Sequence, residues 1–256
     1  MATLASLRAR DFLSSIGYSQ PNDLSIEEMV WSLGIILKDE KIEGSDGRIL
    51  MDSDSAIITV NSEIKYQPRK NFIIAHELGH YFLHRNNTKF FSDTEKTLSD
   101  WKNNNSLETE ANDFAKELLM PEFLFSPLCK GKLSINLIKK LSGTFNSSIT
   151  ATVLRYKDLG DIPIAIIYLE KGIVNWSFYS HDFILQYLPK GSKVRPGTVA
   201  YDFIYNNVEL SENPELIDAV DWFPEDFNIE KYSKWKFYEY CIPVSDLGLL
   251  VCLWGF

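Results

Sequence analysis

Cysteine is scarce in this chain of 256 residues, which contains only three. Cys129, Cys241 and Cys252 lie far apart in the sequence and form no C-x-x-C pair. That spacing argues against a disulfide framework and against a zinc site built from thiolates. We expect all three to be buried, reduced thiols, as unpaired cysteines usually are.

Long apolar segments are also missing. The longest run, residues 247–256, is far shorter than the roughly 20 residues that a membrane-spanning helix needs. The first residues lack the basic segment, apolar stretch and small-residue cleavage site of a secretory signal. We therefore predict a cytoplasmic protein without a membrane partner.

Positive charge is limited: the chain has 26 basic and 35 acidic residues and a formal net charge of −9. This balance argues against a nucleic-acid binder that depends on overall charge. Residues 128–157 differ from the rest, because they contain no acidic residue but six basic ones: Lys130, Lys132, Lys139, Lys140, Arg155 and Lys157. The four lysines from 130 to 140 make single-stranded nucleic acid a candidate activator. A solvated surface, or a dock for an acidic protein segment, is the alternative interpretation.

Apolar periodicity and turn residues predict a first region of mixed helices and strands. Ser25 and Glu28 form a capping box that opens a helix, and Gly34 ends it. A longer helix begins at Pro68, where the missing N–H costs little. The polar stretch 85–106 is interpreted as a loop. The predicted helices lie at 4–15, 68–83 and 107–119, and the predicted strands at 35–38, 48–51 and 56–60.

The pattern changes after residue 134. Residues 134–159 predict two short helices separated at 142–144, a layout like a helix-turn-helix. Beyond residue 161, β-branched and aromatic runs predict a sheet. Its strands are expected at 162–169, 173–179, 236–243 and 249–254. We place a domain boundary at residue 160, so that 1–160 includes the helix pair and 161–256 is a β-rich C-terminal domain of unknown role.

The long predicted helix contains the sequence His76-Glu77-Leu78-Gly79-His80. Residues four apart lie on one helix face, about 6 Å from each other, so both imidazoles can reach one zinc ion. Glu77 lies beside the first histidine, where its carboxylate can act as a general base without binding the metal. The motif therefore predicts zinc bound by His76 and His80, with Glu77 as the catalytic residue.

His84 continues the histidine series but lies eight residues after His76, about 12 Å further along a helix. It therefore cannot bind the same ion, and we interpret it as a packing residue or as a support for the ligands. His181 has no assigned role.

The third ligand must come from elsewhere, and the helix at 107–119 offers Glu108 and Glu110. Asn112 lies one turn after Glu108 on the same face, where its amide can orient a zinc-bound histidine. Glu110 has Phe114 in that position instead. We favour Glu108 as the ligand with Asn112 as its supporting neighbour, and Glu110 stays the alternative.

The motif at 76–80, followed by E-x-x-A-N-x-F-A-x-x-L-L-M-P at 108–121, resembles the ImmA/IrrE family of metallopeptidases. The resemblance covers residue 25 to about residue 159. It implies an α+β fold with a zincin-like peptidase domain, which combines a small sheet with the HExxH helix and a glutamate helix. These two helices would form a gluzincin-like zinc site. For several members it also implies cleavage of a helix-turn-helix repressor, in a stress or mobile-element response. Some relatives carry a DNA-binding domain in front of the peptidase. We expect none in this chain, which favours a separate repressor as partner.

Two other functions stay open. A catalytically silent zinc-binding regulator could sequester a repressor without cutting it, although Glu77 would then have no chemical purpose. Direct DNA binding through residues 134–159 is the second, although the would-be recognition helix at 147–156 contains Arg155 as its single basic residue.

Overall fold

Two compact units make up the computed structural model, which describes residues 3–52, 55–85, 90–93, 106–131, 133–244 and 248–255. The first unit comprises Met1–Leu128 and Lys139–Ser148, and the second comprises Cys129–Ile138 and Ile149–Phe256. The two units thus alternate along the chain between residues 128 and 149. The predicted domain boundary at residue 160 stays a prediction.

The first unit combines helices with a small sheet. The capping box at Ser25 and Glu28 is confirmed, and Gly34 ends that helix with a left-handed φ of 70°. The helices are α1 (Leu4–Ser15), α2 (Ile26–Ser32), α3 (Gln67–His84), α4 (Ser106–Leu119) and α5 (Glu122–Leu128), and the strands are β1 (Ile36–Glu40), β2 (Gly47–Met51), β3 (Ala56–Asn61) and β4 (Phe90–Asp93).

The sheet of the first unit has the strand order β1-β3-β2-β4. β1 runs parallel to β3, whereas β2 is antiparallel to both β3 and β4. β4 lies inside the stretch that we predicted to be a loop, and its backbone pairs with β2 from Leu50 with Phe90 to Gly47 with Asp93. The prediction was wrong for these four residues. Residues 86–89 and 94–105 of the same stretch lie outside the described residues.

Helix α3 lies in the interior of the first unit. All eight residues from Ile73 to His80 are buried, and Ile73, Ala75 and Leu78 belong to one apolar core with residues of α1, α4 and the sheet. A helix buried on all sides normally carries only apolar residues. The histidines and the glutamate of the motif are therefore placed where polar groups need partners.

The second unit is built on an antiparallel sheet with the order β6-β5-β9-β8-β7. Helix α6 crosses the division between the units. The helix pair breaks at residues 145–148 rather than at the predicted 142–144, and Asn146 has a φ of 46° there. The elements are α6 (Ile135–Thr144), α7 (Ile149–Leu159), β5 (Ile164–Glu170), β6 (Ile173–Tyr179), α8 (Val199–Asn206), β7 (Glu215–Asp218), α9 (Ala219–Trp222), α10 (Ile229–Tyr232), β8 (Lys236–Pro243) and β9 (Gly248–Gly255).

The composition of the chain agrees with these buried cores. All three cysteines are free and buried, as expected. Within the described part of the chain, no helix combines the length and the apolar character that crossing a membrane would need.

A buried carboxylate organises the second unit. Glu239 on β8 is 1% exposed, and it accepts hydrogen bonds from the backbone N–H groups of Val199 and Ala200 at 3.0 and 2.9 Å and from Trp222 Nε1 at 3.0 Å. Two of these donors are N–H groups in the first turn of α8, where the helix itself supplies no acceptor, and a carboxylate satisfies them well. Glu239 thus connects β8 with α8 and α9.

We expect Glu239→Ala to lower the free energy of unfolding by about 3 kcal/mol or more. Two buried donors and one part-buried donor would lose their acceptor, and a buried donor costs about 1–3 kcal/mol when left unsatisfied. Denaturant unfolding measures this loss. The control is Glu215→Ala, which changes an exposed residue directly opposite on β7 and should stay within about 0.5 kcal/mol of wild type. Equal losses in both variants would contradict the assigned role.

Candidate metal centre

The candidate centre depends on a close approach of α3 and α4. A Cβ atom added to Gly79 would lie 2.9 Å from Ala111 Cα and 3.0 Å from the Ala111 carbonyl oxygen. Only glycine leaves room for the backbone of α4 at this distance. The approach places α4, with Glu108 and Asn112, against the motif on α3.

Three donor atoms meet between the two helices. His76 Nε2 lies 3.0 Å from His80 Nε2, and Glu108 Oε2 lies 3.2 Å from the first and 3.6 Å from the second. All three side chains are buried. Ligand atoms of the three residues lie within 4.8 Å of one another, so they can hold one metal ion. The structure thus brings together the three residues that the sequence analysis favoured as ligands.

Asn112 determines which nitrogen of His76 carries the hydrogen. Its Oδ1 lies 2.9 Å from His76 Nδ1. An amide oxygen only accepts, so His76 Nδ1 donates and a neutral ring keeps its lone pair on Nε2. That lone pair belongs to the nitrogen that lies beside His80 and Glu108. Asn112 thus contacts one of the two predicted zinc-binding histidines, and its role in orienting a metal ligand stays a prediction.

The donor set fits a divalent metal. Two imidazole nitrogens and one carboxylate oxygen converge in a buried space, and N and O donors of this kind suit zinc. Burial acts to raise the pKa of the Glu108 carboxyl, but hydrogen bonds and charge from His76 and His80 outweigh it and hold the pKa well below its usual range. Glu108 is thus ionised near neutral pH, as a metal ligand must be.

Glu77 is fully buried and lies on the side of α3 that approaches β2. A Cβ atom added to Gly47, the first residue of β2, would lie 2.9 Å from Glu77 Oε1 and 2.4 Å from Ile73 Cγ2. Gly47 therefore provides the space for the Glu77 carboxylate. The strand predicted at 48–51 left Gly47 out, although a glycine in a strand often indicates a close approach of this kind.

The remaining two candidates contact each other. His84 is buried, its Nδ1 lies 2.9 Å from His80 Nδ1, and its Nε2 lies 3.1 Å from Glu110 Oε2. The metal-ligand group contains Glu108 and not Glu110. This geometry favours Glu108 as the third ligand.

The basic segment does not form a uniform cationic surface. Arg155 is 4% exposed and Lys157 forms an ion pair with Asp158. Lys130, Lys139 and Lys140 are exposed, while Lys132 lies outside the described residues. No observation supports single-stranded nucleic acid as an activator, and that partner stays a prediction.

The DNA-binding alternative also loses support. In α7 the five consecutive residues 152–156 are all buried, including Arg155. A recognition helix needs side chains that can enter a DNA groove, and this part of α7 offers none.

We expect Gly79→Ala to weaken zinc binding by about 10-fold or more, because separating α3 from α4 moves Glu108 away from the two imidazoles. Chelator competition measures the affinity. Gly143→Ala is the control, since this glycine also lies in a helix but a Cβ there would meet no atom within 4 Å. The control should bind zinc as wild type does, and its stability should rise by up to about 1 kcal/mol. Unchanged zinc affinity in Gly79→Ala would contradict the role of the close approach.

Two proteins of known name are similar to parts of this chain. The "Uncharacterized immunity region protein 2" of Bacillus phage phi105 is 33% identical over 112 residues, which are 43% of this chain and 64% of that protein. "Metallopeptidase ImmA" of Bacillus subtilis (strain 168) is 39% identical over 71 residues, which are 27% of this chain and 37% of that protein. The chain thus spans less than two thirds of the length of either relative.

A solved structure of a "Mycobacterium tuberculosis transcriptional regulator" matches 98% of this chain and 76% of its own, with a TM-score of 0.60 and 15% identity. At that identity the likeness concerns the fold alone. Residues 32–157 match the family model described as the IrrE N-terminal-like domain, which is a peptidase family. This segment contains the complete HExxH motif and Glu108. Residues 32–157 of this chain therefore match the ImmA/IrrE family of metallopeptidases.

Proposed function

We propose that this protein is a zinc-dependent endopeptidase that cleaves a helix-turn-helix transcriptional repressor at a specific site. The observation that carries the proposal is the buried convergence of His76, His80 and Glu108 beside the buried Glu77. The peptidase family of residues 32–157 supports the reaction class. The name of the phage relative, which refers to an immunity region, supports a role in the control of a mobile element.

Among the residues that the structure describes, three ligands converge, and this number favours a catalytic ion over a structural one. Structural zinc sites use four protein ligands, whereas catalytic sites use three and leave one position open. In this chain, His76, His80 and Glu108 would hold the ion. When bound, zinc supplies Lewis acidity, which polarises a peptide carbonyl and makes water acidic enough to lose a proton near neutral pH.

Glu77 would move the proton in this reaction. Its carboxylate accepts a proton from water as the water oxygen bonds to the carbonyl carbon, and it later donates that proton to the amine nitrogen as the C–N bond breaks. The products are a carboxylate and an amine, and together they take up the atoms of one water molecule. His76, Glu77 and His80 are fully buried, so few bulk water molecules would compete in this reaction.

A silent regulator is the weaker candidate. It would need the metal ligands but not a base beside them. In this chain Gly47 leaves the space that the Glu77 carboxylate occupies, although a glycine weakens the strand that contains it. A carboxylate accommodated in this way supports catalysis.

Metal analysis tests the ligand set. We expect about one zinc ion per wild-type chain, and loss of stoichiometric zinc in His80→Ala and Glu108→Ala. Asn112→Ala should weaken binding by a milder factor of roughly 10 to 100, which is typical of a residue that orients a ligand. Glu110→Ala should retain more affinity than Glu108→Ala. Full zinc content in His80→Ala would show that the ligand set is wrong, and the reverse order of the two glutamates would move the ligand to Glu110.

Replacing the proposed base separates the enzyme from the silent regulator. Glu77→Gln should lower cleavage of the repressor by at least about 10²-fold, because general-base catalysis contributes that much or more. Its zinc content should stay near that of wild type. A purified helix-turn-helix protein encoded next to this gene is the substrate to incubate, with mass spectrometry to locate the cut. Cleavage by Glu77→Gln at the wild-type rate would refute the role of Glu77. Wild-type cellular regulation by this variant would favour the silent regulator.

A further inference from the structure

Three histidines lie one turn apart on α3, and the HExxH motif accounts for two of them. The third, His84, is 1% exposed and is connected on both sides. Its Nδ1 lies 2.9 Å from His80 Nδ1, and its Nε2 lies 3.1 Å from Glu110 Oε2. Glu110, His84 and His80 thus form a continuous row of polar contacts that leads to the candidate metal centre.

The direction of the hydrogen bonds follows from the acceptor at the outer end. The Glu110 carboxylate only accepts when ionised, so His84 Nε2 carries the hydrogen and donates it. A neutral His84 ring then has its lone pair on Nδ1. That atom must accept from His80 Nδ1–H, which leaves the lone pair of His80 on Nε2.

His80 Nε2 is the atom that faces the other proposed ligands. It lies 3.0 Å from His76 Nε2 and 3.6 Å from Glu108 Oε2. The row from Glu110 therefore has the same effect on His80 that Asn112 has on His76. Both imidazoles present a lone pair to the same point, and both present it from Nε2.

The exposure of the three side chains separates their roles. The side chain of Glu110 is 51% exposed, whereas that of His84 is 2% exposed and that of His80 is fully buried. An apolar side chain would fill the volume of His84 equally well. The volume alone therefore does not explain a histidine that is contacted at both ring nitrogens.

We infer that His84 and Glu110 are positioning residues, which together hold His80 in the tautomer and orientation that metal binding needs. Neither residue belongs to the group of candidate metal ligands. The inference rests on the metal site of the proposed function, but not on the identity of the substrate or on cleavage. Such outer partners of a metal-bound histidine typically contribute 10-fold to 100-fold in affinity.

Two substitutions of His84 distinguish a hydrogen-bonding role from packing. His84→Leu keeps the volume but removes the acceptor, and should weaken zinc binding by about 10-fold to 100-fold in chelator competition. His84→Asn offers an amide oxygen near the place of Nδ1, and should recover most of that loss. The visible spectrum of the cobalt-loaded protein should change in His84→Leu and remain close to wild type in His84→Asn.

Glu110→Ala tests the outer end of the row and should weaken zinc binding by about 10-fold. Asp113→Ala is the matched control, because it removes the same charge from the same helix at a residue that pairs with Lys116 at 3.1 Å. The control should bind zinc as wild type does. Thermal unfolding of the metal-free variants shows whether each one folds. If His84→Leu does not fold, the zinc affinity of Glu110→Ala tests the inference.

The outcomes separate this inference from the proposed function. If wild type binds no zinc, both fail. If zinc binding is lost in His80→Ala but unchanged in His84→Leu and Glu110→Ala, the positioning role is overturned and the metal site stands. The inference is also overturned if His84→Asn binds zinc as weakly as His84→Leu and Asp113→Ala binds it as weakly as Glu110→Ala. The effects would then come from shape and charge.

Discussion

The contact between Gly79 and Ala111 is the constraint on which the candidate centre depends. Metal ligands from two helices can meet only if the helix backbones approach closely, because histidine and glutamate side chains are only a few ångströms long. Any Cβ at position 79 would overlap the backbone of α4. The glycine inside the HExxH motif thus has a purpose apart from the chemistry of its neighbours. It allows α4 to supply a carboxylate to two imidazoles on α3.

The burial of α3 explains why so many polar contacts surround the centre. Polar side chains inside a protein are costly unless they are hydrogen-bonded. Asn112 contacts one imidazole, and His84 contacts the other. Each contact also leaves a particular ring nitrogen with its lone pair. The same partners therefore reduce the cost of burial and prepare the rings for a metal.

The sequence indicates which residues meet at this centre because the candidate ligands follow helix periodicity. The spacing of four residues from His76 to His80, and again from Glu108 to Asn112, places each pair on one face of a helix. The bounds of α1 were predicted as observed, since apolar spacing determines them. Local signals of this kind need no knowledge of the tertiary structure.

The missed features depend on distant neighbours. β4 forms because β2 offers it an edge, and its two phenylalanines are too short a run to predict a strand by themselves. Helix α5 was not predicted, and the Pro121 carbonyl accepts from Phe125 N–H in its first turn. The link between Glu110 and His84 requires the relative placement of α3 and α4, which no spacing within one helix reveals. The role of Gly47 likewise depends on how closely β2 approaches α3.

The alternation of the two units along the chain has a consequence for how the protein can be divided. Neither unit is a single continuous stretch, because segments 129–138 and 139–148 belong to different units. A chain that stopped at residue 128 would remove Lys139–Ser148 from the first unit. One that began at residue 161 would deprive the second unit of Cys129–Ile138 and of α7. The segment that matches the family, 32–157, itself contains parts of both units, so the peptidase region defined by sequence does not coincide with a separable piece of the structure.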